Sequence, residues 1–155
     1  MAAAGVIVTG GCETVEFGGA TGVSVDATGA PVAVLAICEG NIDGLELYSG
    51  EGDNTVTHGD WQRRIPASGF ATVELARPAD GWTSSQRLGE LKAGETYGLF
   101  GGTRDNRWAT AHVTFTLESL ARLRPGEVLR QAYDETSDRD RDVITSVEEF
   151  RGEVC

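Results

Sequence analysis

The sequence predicts an all-β protein: an immunoglobulin-like β-sandwich of about eight strands with a short C-terminal helix. Three observations point there. Residues 32–38 are seven apolar residues in a row, rich in β-branched side chains and too short for a typical helix. That is the pattern of a strand buried on both faces. The runs beside it alternate apolar and polar, as half-buried strands do. Glycine-rich turns separate these runs, and no alternation of strands with long helices suggests a parallel sheet. A small closed β-barrel is the alternative arrangement. With 155 residues and no linker, repeat or low-complexity stretch, the chain reads as a single domain, 1–155.

The elements follow in order. Val15 and Phe17 share one face of a first alternating run, and Gly18-Gly19 reads as a turn. Val23 and Val25 continue the alternation, with Ser24 and Asp26 outward, up to a second turn at Ala27-Thr28-Gly29. The central strand spans residues 31–39 and closes at Glu39-Gly40-Asn41. Residues 42–48 put Leu45 and Leu47 inward, Glu46 and Tyr48 outward. Residues 49–60 are polar and read as a loop or short edge strand. Residues 70–75 alternate again, with Ala71, Val73 and Leu75 inward. Residues 77–87 read as an exposed loop with Trp82 packed back as a lid. Residues 96–100 and 108–117 form a hairpin. Its second strand puts Ala109, Ala111, Val113, Phe115 and Leu117 on the buried face. Trp108, Thr110, His112, Thr114 and Thr116 fall on the exposed one. Residues 118–123 make a short helical segment, stopped by Pro125-Gly126. Residues 127–133 form a last strand and residues 134–142 a charged loop. Ser146 and Glu149 form a capping box that opens the terminal helix before Cys155.

The formal net charge of −11 disfavours nucleic-acid backbones and anionic membranes as partners. No stretch reaches the roughly 18 apolar residues of a membrane span. Residues 1–12 end in Gly-Gly-Cys. They read either as the tail of a lipoprotein signal, with Cys12 acylated, or as a first strand over residues 5–9.

Four stretches are familiar together: residues 31–38; Ile-Asp-Gly-Leu-Glu-Leu-Tyr at 42–48; Leu-Ala-Arg-Leu-Arg-Pro-Gly-Glu-Val-Leu at 120–129; and Ser-Val-Glu-Glu-Phe at 146–150 before Cys155. The set resembles uncharacterised actinobacterial secreted proteins and lipoproteins with a small β-sandwich domain. The resemblance implies an extracytoplasmic place, secreted or lipid-anchored in the cell envelope, and no assigned activity. A cytoplasmic location is the alternative.

Candidate chemistry is sparse. Residues 138–149 place Asp138, Asp140, Asp142 and Glu149 at positions one, three, five and twelve of a calcium loop. Val143 stands where that loop needs glycine, and two arginines offset the charge. The plain reading is a solvated turn before a capped helix. His58 and His112 are the only histidines, too few and too scattered for a metal site. A Ser-His-Asp arrangement is geometric and stays open, although Ser68, Ser84 and Ser85 sit in turn contexts without a Gly-x-Ser-x-Gly elbow. Gly18-Gly19-Ala20-Thr21-Gly22 lacks the lysine and helix of a phosphate loop. Trp61, Trp82 and Trp108 could line a ligand groove or plug the core; the core is favoured for Trp82, while Trp108 faces outward with His112 and is left open. No cofactor and no metal are expected, and catalytic residues are none.

The three cysteines are Cys12, Cys38 and Cys155. If the first strands form a meander, Cys12 and Cys38 lie at opposite ends of parallel strands, roughly 20 Å apart along the axis. A disulfide needs Cα atoms within about 7 Å. Cys155 ends a short helix on a long tether and can dock at the rim where Cys38 lies, so the pairing expected is Cys38 with Cys155; if the strand holding Cys12 pairs in the opposite sheet, Cys12 can reach Cys38 instead. The function expected is that of a non-enzymatic extracytoplasmic module binding a protein or cell-wall partner. The alternative is a small β-barrel enzyme, a cyclase or isomerase, acting on an apolar small molecule. A large internal cavity would favour the enzyme and a filled core the binding module. A calcium-stabilised adhesion domain is a third possibility.

Overall fold

The structure, a computed structural model, describes residues 14–155. Cys12, and with it the choice between lipoprotein signal and first strand, lies outside the described residues. These form a nine-stranded sheet with a short C-terminal helix, so the all-β expectation holds. The strands are β1 (Glu16–Val25), β2 (Pro31–Ser49), β3 (Val56–Glu74), β4 (Trp82–Gln86), β5 (Tyr97–Gly102), β6 (Trp108–Ala111), β7 (Val113–Phe115), β8 (Glu127–Asp134) and β9 (Arg139–Ser146). Helix α1 (Leu117–Ala121) precedes β8, and α2 (Val147–Val154) ends the chain.

The sheet order is β4-β3-β2-β5-β6-β1-β8-β9, and β1 also pairs with β2. The path β2-β5-β6-β1 thus returns to β2 and closes a small four-stranded barrel, the stated alternative arrangement. Two long strands make closure possible. β2 does not end at Glu39-Gly40-Asn41; it bends there, between the pairs Ile37↔Gly69 and Ile42↔Ala67. β3 has its own irregularity between Gln62 and Ala67, where Pro66 interrupts pairing. Strands that bend this way pass from one part of the barrel to another.

Gly18-Gly19 is not a turn either. Both lie inside β1, where a Cβ would collide with the carbonyl oxygens of Glu39 and Ala36. Glycine there lets two backbones approach closely. The turn at residues 26–30 is as expected. Asp26 accepts from the amides of Thr28 (2.8 Å) and Ala30 (3.0 Å), and Gly29 has φ +83°.

The second strand of the expected hairpin is split. Gly102 pairs with Ala109 but Leu99 with Val113, so β6 and β7 carry one more residue than β5 opposite them. This irregularity reverses the alternation. Val113 and Phe115 are buried as expected, but Thr110 is also buried and Ala111 is exposed. The buried Thr110 hydroxyl is satisfied by Thr21 Oγ1 at 2.6 Å and by the Gly101 amide at 2.8 Å. Before the break β6 pairs in parallel with β1; after it β7 stays on β5. The side chain of Gln131 on β8 completes the join. It accepts from Thr114 N (2.7 Å) and donates to Thr114 O (2.9 Å), taking the place of a neighbouring strand.

Residues 32–38 behave as predicted. Ala33, Leu35 and Ile37 enter the main core with Leu47, Trp61, Tyr97, Leu99 and Val113. Val34 and Ala36 point the other way and form a second core with Val128 and Phe150. Trp61 is fully buried, its indole N–H donating to Leu75 O at 3.1 Å; Trp82 is buried as well. The expected charged loop at residues 134–142 is instead the turn of the β8–β9 hairpin and the first half of β9. α2 carries the expected capping box, Ser146 Oγ accepting from Glu149 N (3.1 Å) and Glu149 from Ser146 N (3.0 Å). Cys38 and Cys155 form a disulfide with Cα atoms 5.3 Å apart. No helix among the described residues is long and apolar enough to cross a membrane.

Candidate functional site

A groove of about 500 Å³ crosses five neighbouring strands of the sheet. Asp60 and Gln62 come from β3, Glu46 and Tyr48 from β2, Phe100 from β5, Trp108 from β6 and Phe17 from β1. Alternation explains β3, β2 and β5: the residues next to these in sequence, Trp61, Leu45, Leu47 and Leu99, point the other way and are buried in the core. Phe17, at one lip, is 72 % exposed, and Val15 beside it is exposed too.

Glycines set how the aromatic rings lie. Tyr48 pairs with Gly98 across β2 and β5, and a Cβ on Gly98 would enter the tyrosine ring. Trp108 lies against Gly40 at the β2 bend, where φ is +71° and a Cβ would likewise enter the indole. Both rings lie close over backbone that has no side chain to lift them. Phe100 meets Tyr48 edge-to-face, with ring centroids 5.8 Å apart and planes at 71°.

The polar groups are partly tied down. Arg104 stands 3.9 Å from Asp43, whose carboxylate also accepts from the Arg104 amide at 3.1 Å. Asp60 accepts from Ser85 Oγ. Glu46 accepts from Thr57 Oγ1 at 3.0 Å through one oxygen. Burial, and then the charge of Glu46, push the Tyr48 phenol above its ordinary pKa.

A second polar constellation lies at one end of the barrel. Ser49, the last inward residue of β2, has its hydroxyl 2.6 Å from His58 Nε2 and donates to Glu95 Oε1 at 2.8 Å. Tyr97 OH donates to Glu95 Oε2 at 3.2 Å and accepts from Lys92 N at 2.7 Å. The His58 ring packs edge-on against Tyr97 at 5.1 Å. The Ser49 hydroxyl, with Tyr97 and the charges of His58 and Lys92 assisting, holds Glu95 below the usual carboxylate range. Serine lies between the other two here, whereas a nucleophilic triad puts the acid behind the histidine. Ser49 is 5 % exposed. The network closes the barrel end with paired polar groups.

Neither a protein-family model, nor a curated protein, nor a solved structure matches the chain.

The sequence candidates are distributed as follows. His58 joins the barrel-end network, with Ser49 and not with Ser68, Ser84 or Ser85. His112 is exposed at the break between β6 and β7 and reaches the groove. Trp108 lines the groove, as left open, while Trp61 and Trp82 are core. Residues 139–146 of the calcium-loop candidate are an extended strand instead of a wrapped loop. Tyr133 donates to Asp138, Gln131 donates to Asp142, and Glu149 caps α2. The Tyr48, Phe100 and Gly98 arrangement was missed. Its signal is a cross-strand pairing, readable only once the register is known.

Proposed function

We propose that this protein is a non-enzymatic, extracytoplasmic binding module whose five-strand groove seats a protein or cell-wall partner. The observation that carries this reading is the aromatic floor left open to solvent, with Phe17 72 % exposed at its lip. Tyr48, Phe100 and Trp108 are half-buried along the groove, and aromatic rings lining an open groove beside an exposed apolar residue mark recognition surfaces. The barrel interior supports it too: Leu35, Leu47, Trp61, Tyr97, Leu99 and Val113 are fully buried there, and pack it with side chains. A small-barrel enzyme would need that room for its substrate. The Cys38–Cys155 disulfide suits an oxidising compartment, in line with the envelope location that the actinobacterial resemblance implies.

Amide chemical-shift mapping with soluble wall muropeptides and short synthetic peptides tests the proposal. The expected result is perturbation at Tyr48, Phe100 and Trp108 that Gly98→Ala suppresses by lifting the Tyr48 ring. Perturbation confined to other surfaces, or unchanged by Gly98→Ala, would contradict it.

A further inference from the structure

We propose that the corner formed by Tyr48, Phe100 and Glu46 is a cation site, and that the groove takes a basic peptide segment with an arginine seated in that corner. This rests on the binding-module reading and names its ligand class. Glu46 and Phe100 face each other directly in the β2–β5 register, and Tyr48 meets Phe100 edge-on at 5.8 Å. Two aromatic rings set at 71°, with the Glu46 carboxylate in register beside them, bring ring electrons and negative charge into one corner of the groove. One Glu46 oxygen accepts from Thr57, and the other has no hydrogen-bond partner among the described residues.

The electrostatics of the groove favour the same sign. Among the described residues, three carboxylates line it, Asp43, Glu46 and Asp60, against the single guanidinium of Arg104, which Asp43 already holds. The chain as a whole carries −11, which draws cations from a distance. The apolar lip at Phe17 gives neighbouring apolar side chains of a peptide a place to pack. Arginine fits better than lysine, because its planar guanidinium stacks on a ring and forks onto a carboxylate together.

Fluorescence anisotropy with a labelled short peptide of alternating leucine and arginine tests this, with leucine–glutamate and leucine–serine peptides of equal length beside it. Wild type is expected to bind the arginine peptide and neither of the others. Glu46→Gln is expected to weaken binding about tenfold. Glu135→Gln, which changes net charge equally but lies in the β8–β9 turn, is expected to leave it unchanged. Phe100→Leu, which keeps an apolar side chain for folding, is expected to weaken it as well. Equal losses from Glu46→Gln and Glu135→Gln would overturn the site by reducing it to net charge. Binding of the serine peptide as tightly as the arginine one, with Phe100→Leu still weakening it, would overturn the cation site and leave the groove standing. Arginine-peptide binding that ignores both groove variants would place the peptide elsewhere and overturn both readings. Absence of binding by the arginine peptide would overturn the cation site.

Discussion

The outward face of β2 carries two apolar patches, and the chain treats them differently. Before the bend, Val34 and Ala36 are covered by α2, whose Phe150 is fully buried against them and Val128. Gly22 leaves the room that Phe150 fills, since a Cβ there would meet both Val128 and the Phe150 ring. The cover is held by the Cys38–Cys155 bond, by Arg130 and Glu153 at 2.8 Å, and by Arg151 over the Phe70 ring at 5.2 Å. After the bend, Tyr48 with Phe100 and Phe17 forms a comparable patch, and no described element lies over it. One patch belongs to folding. The other, with Tyr48 laid over Gly98, stays uncovered among the described residues and is the surface proposed for a partner.

Breaking the covered side should cost most. Replacing Cys38 and Cys155 by serine releases a cross-link spanning 117 residues, for which chain entropy gives about 4–5 kcal/mol of lost stability. Urea denaturation measures it. Phe150→Ala, in the same experiment, should cost about 3–5 kcal/mol, because the cavity it leaves is walled by β2 and β8. Gln131→Ala should cost about 1–2 kcal/mol by leaving Thr114 N and O without their partner on the β8 side. It should also raise amide exchange at β7.

The barrel-end network gives a pH-dependent contrast. Glu95 has its pKa lowered from 4.5, chiefly by the Ser49 hydroxyl. A carboxylate lowered on folding contributes stability that is present above its unfolded value and lost as pH falls through the folded one. Wild type should therefore lose stability on acidification below about pH 4.5 more steeply than Ser49→Ala. Parallel slopes in acid denaturation of the two proteins would show that the hydrogen bond does not hold Glu95.

What could be read from the sequence was local. The unbroken apolar run at residues 32–38 has only one arrangement in a sheet, burial on both sides, and the structure puts a core on each. The Ser146–Glu149 cap is legible because its partners are three residues apart. The pairing of Cys38 with Cys155 was reached through an assumed three-strand meander, although the first two of those strands are one continuous β1. What stayed hidden depends on register. Glu39-Gly40-Asn41 and Gly18-Gly19 have turn composition, yet they serve a bend and a close approach inside long strands. The alternating arginines and aspartates of residues 139–142 look like a loop but lie on an edge strand, where charge disfavours pairing with another chain. The groove floor and the Ser49–His58–Glu95 network each gather residues from separate segments, and no local pattern announces them.

The most direct measurement of the uncovered patch is Phe17→Ser, assayed for stability and for arginine-peptide affinity in parallel. With 72 % of Phe17 exposed, stability should stay within about 0.5 kcal/mol of wild type while affinity falls. A core-sized loss of stability with affinity unchanged would show that Phe17 serves the fold and that the groove is not a binding surface.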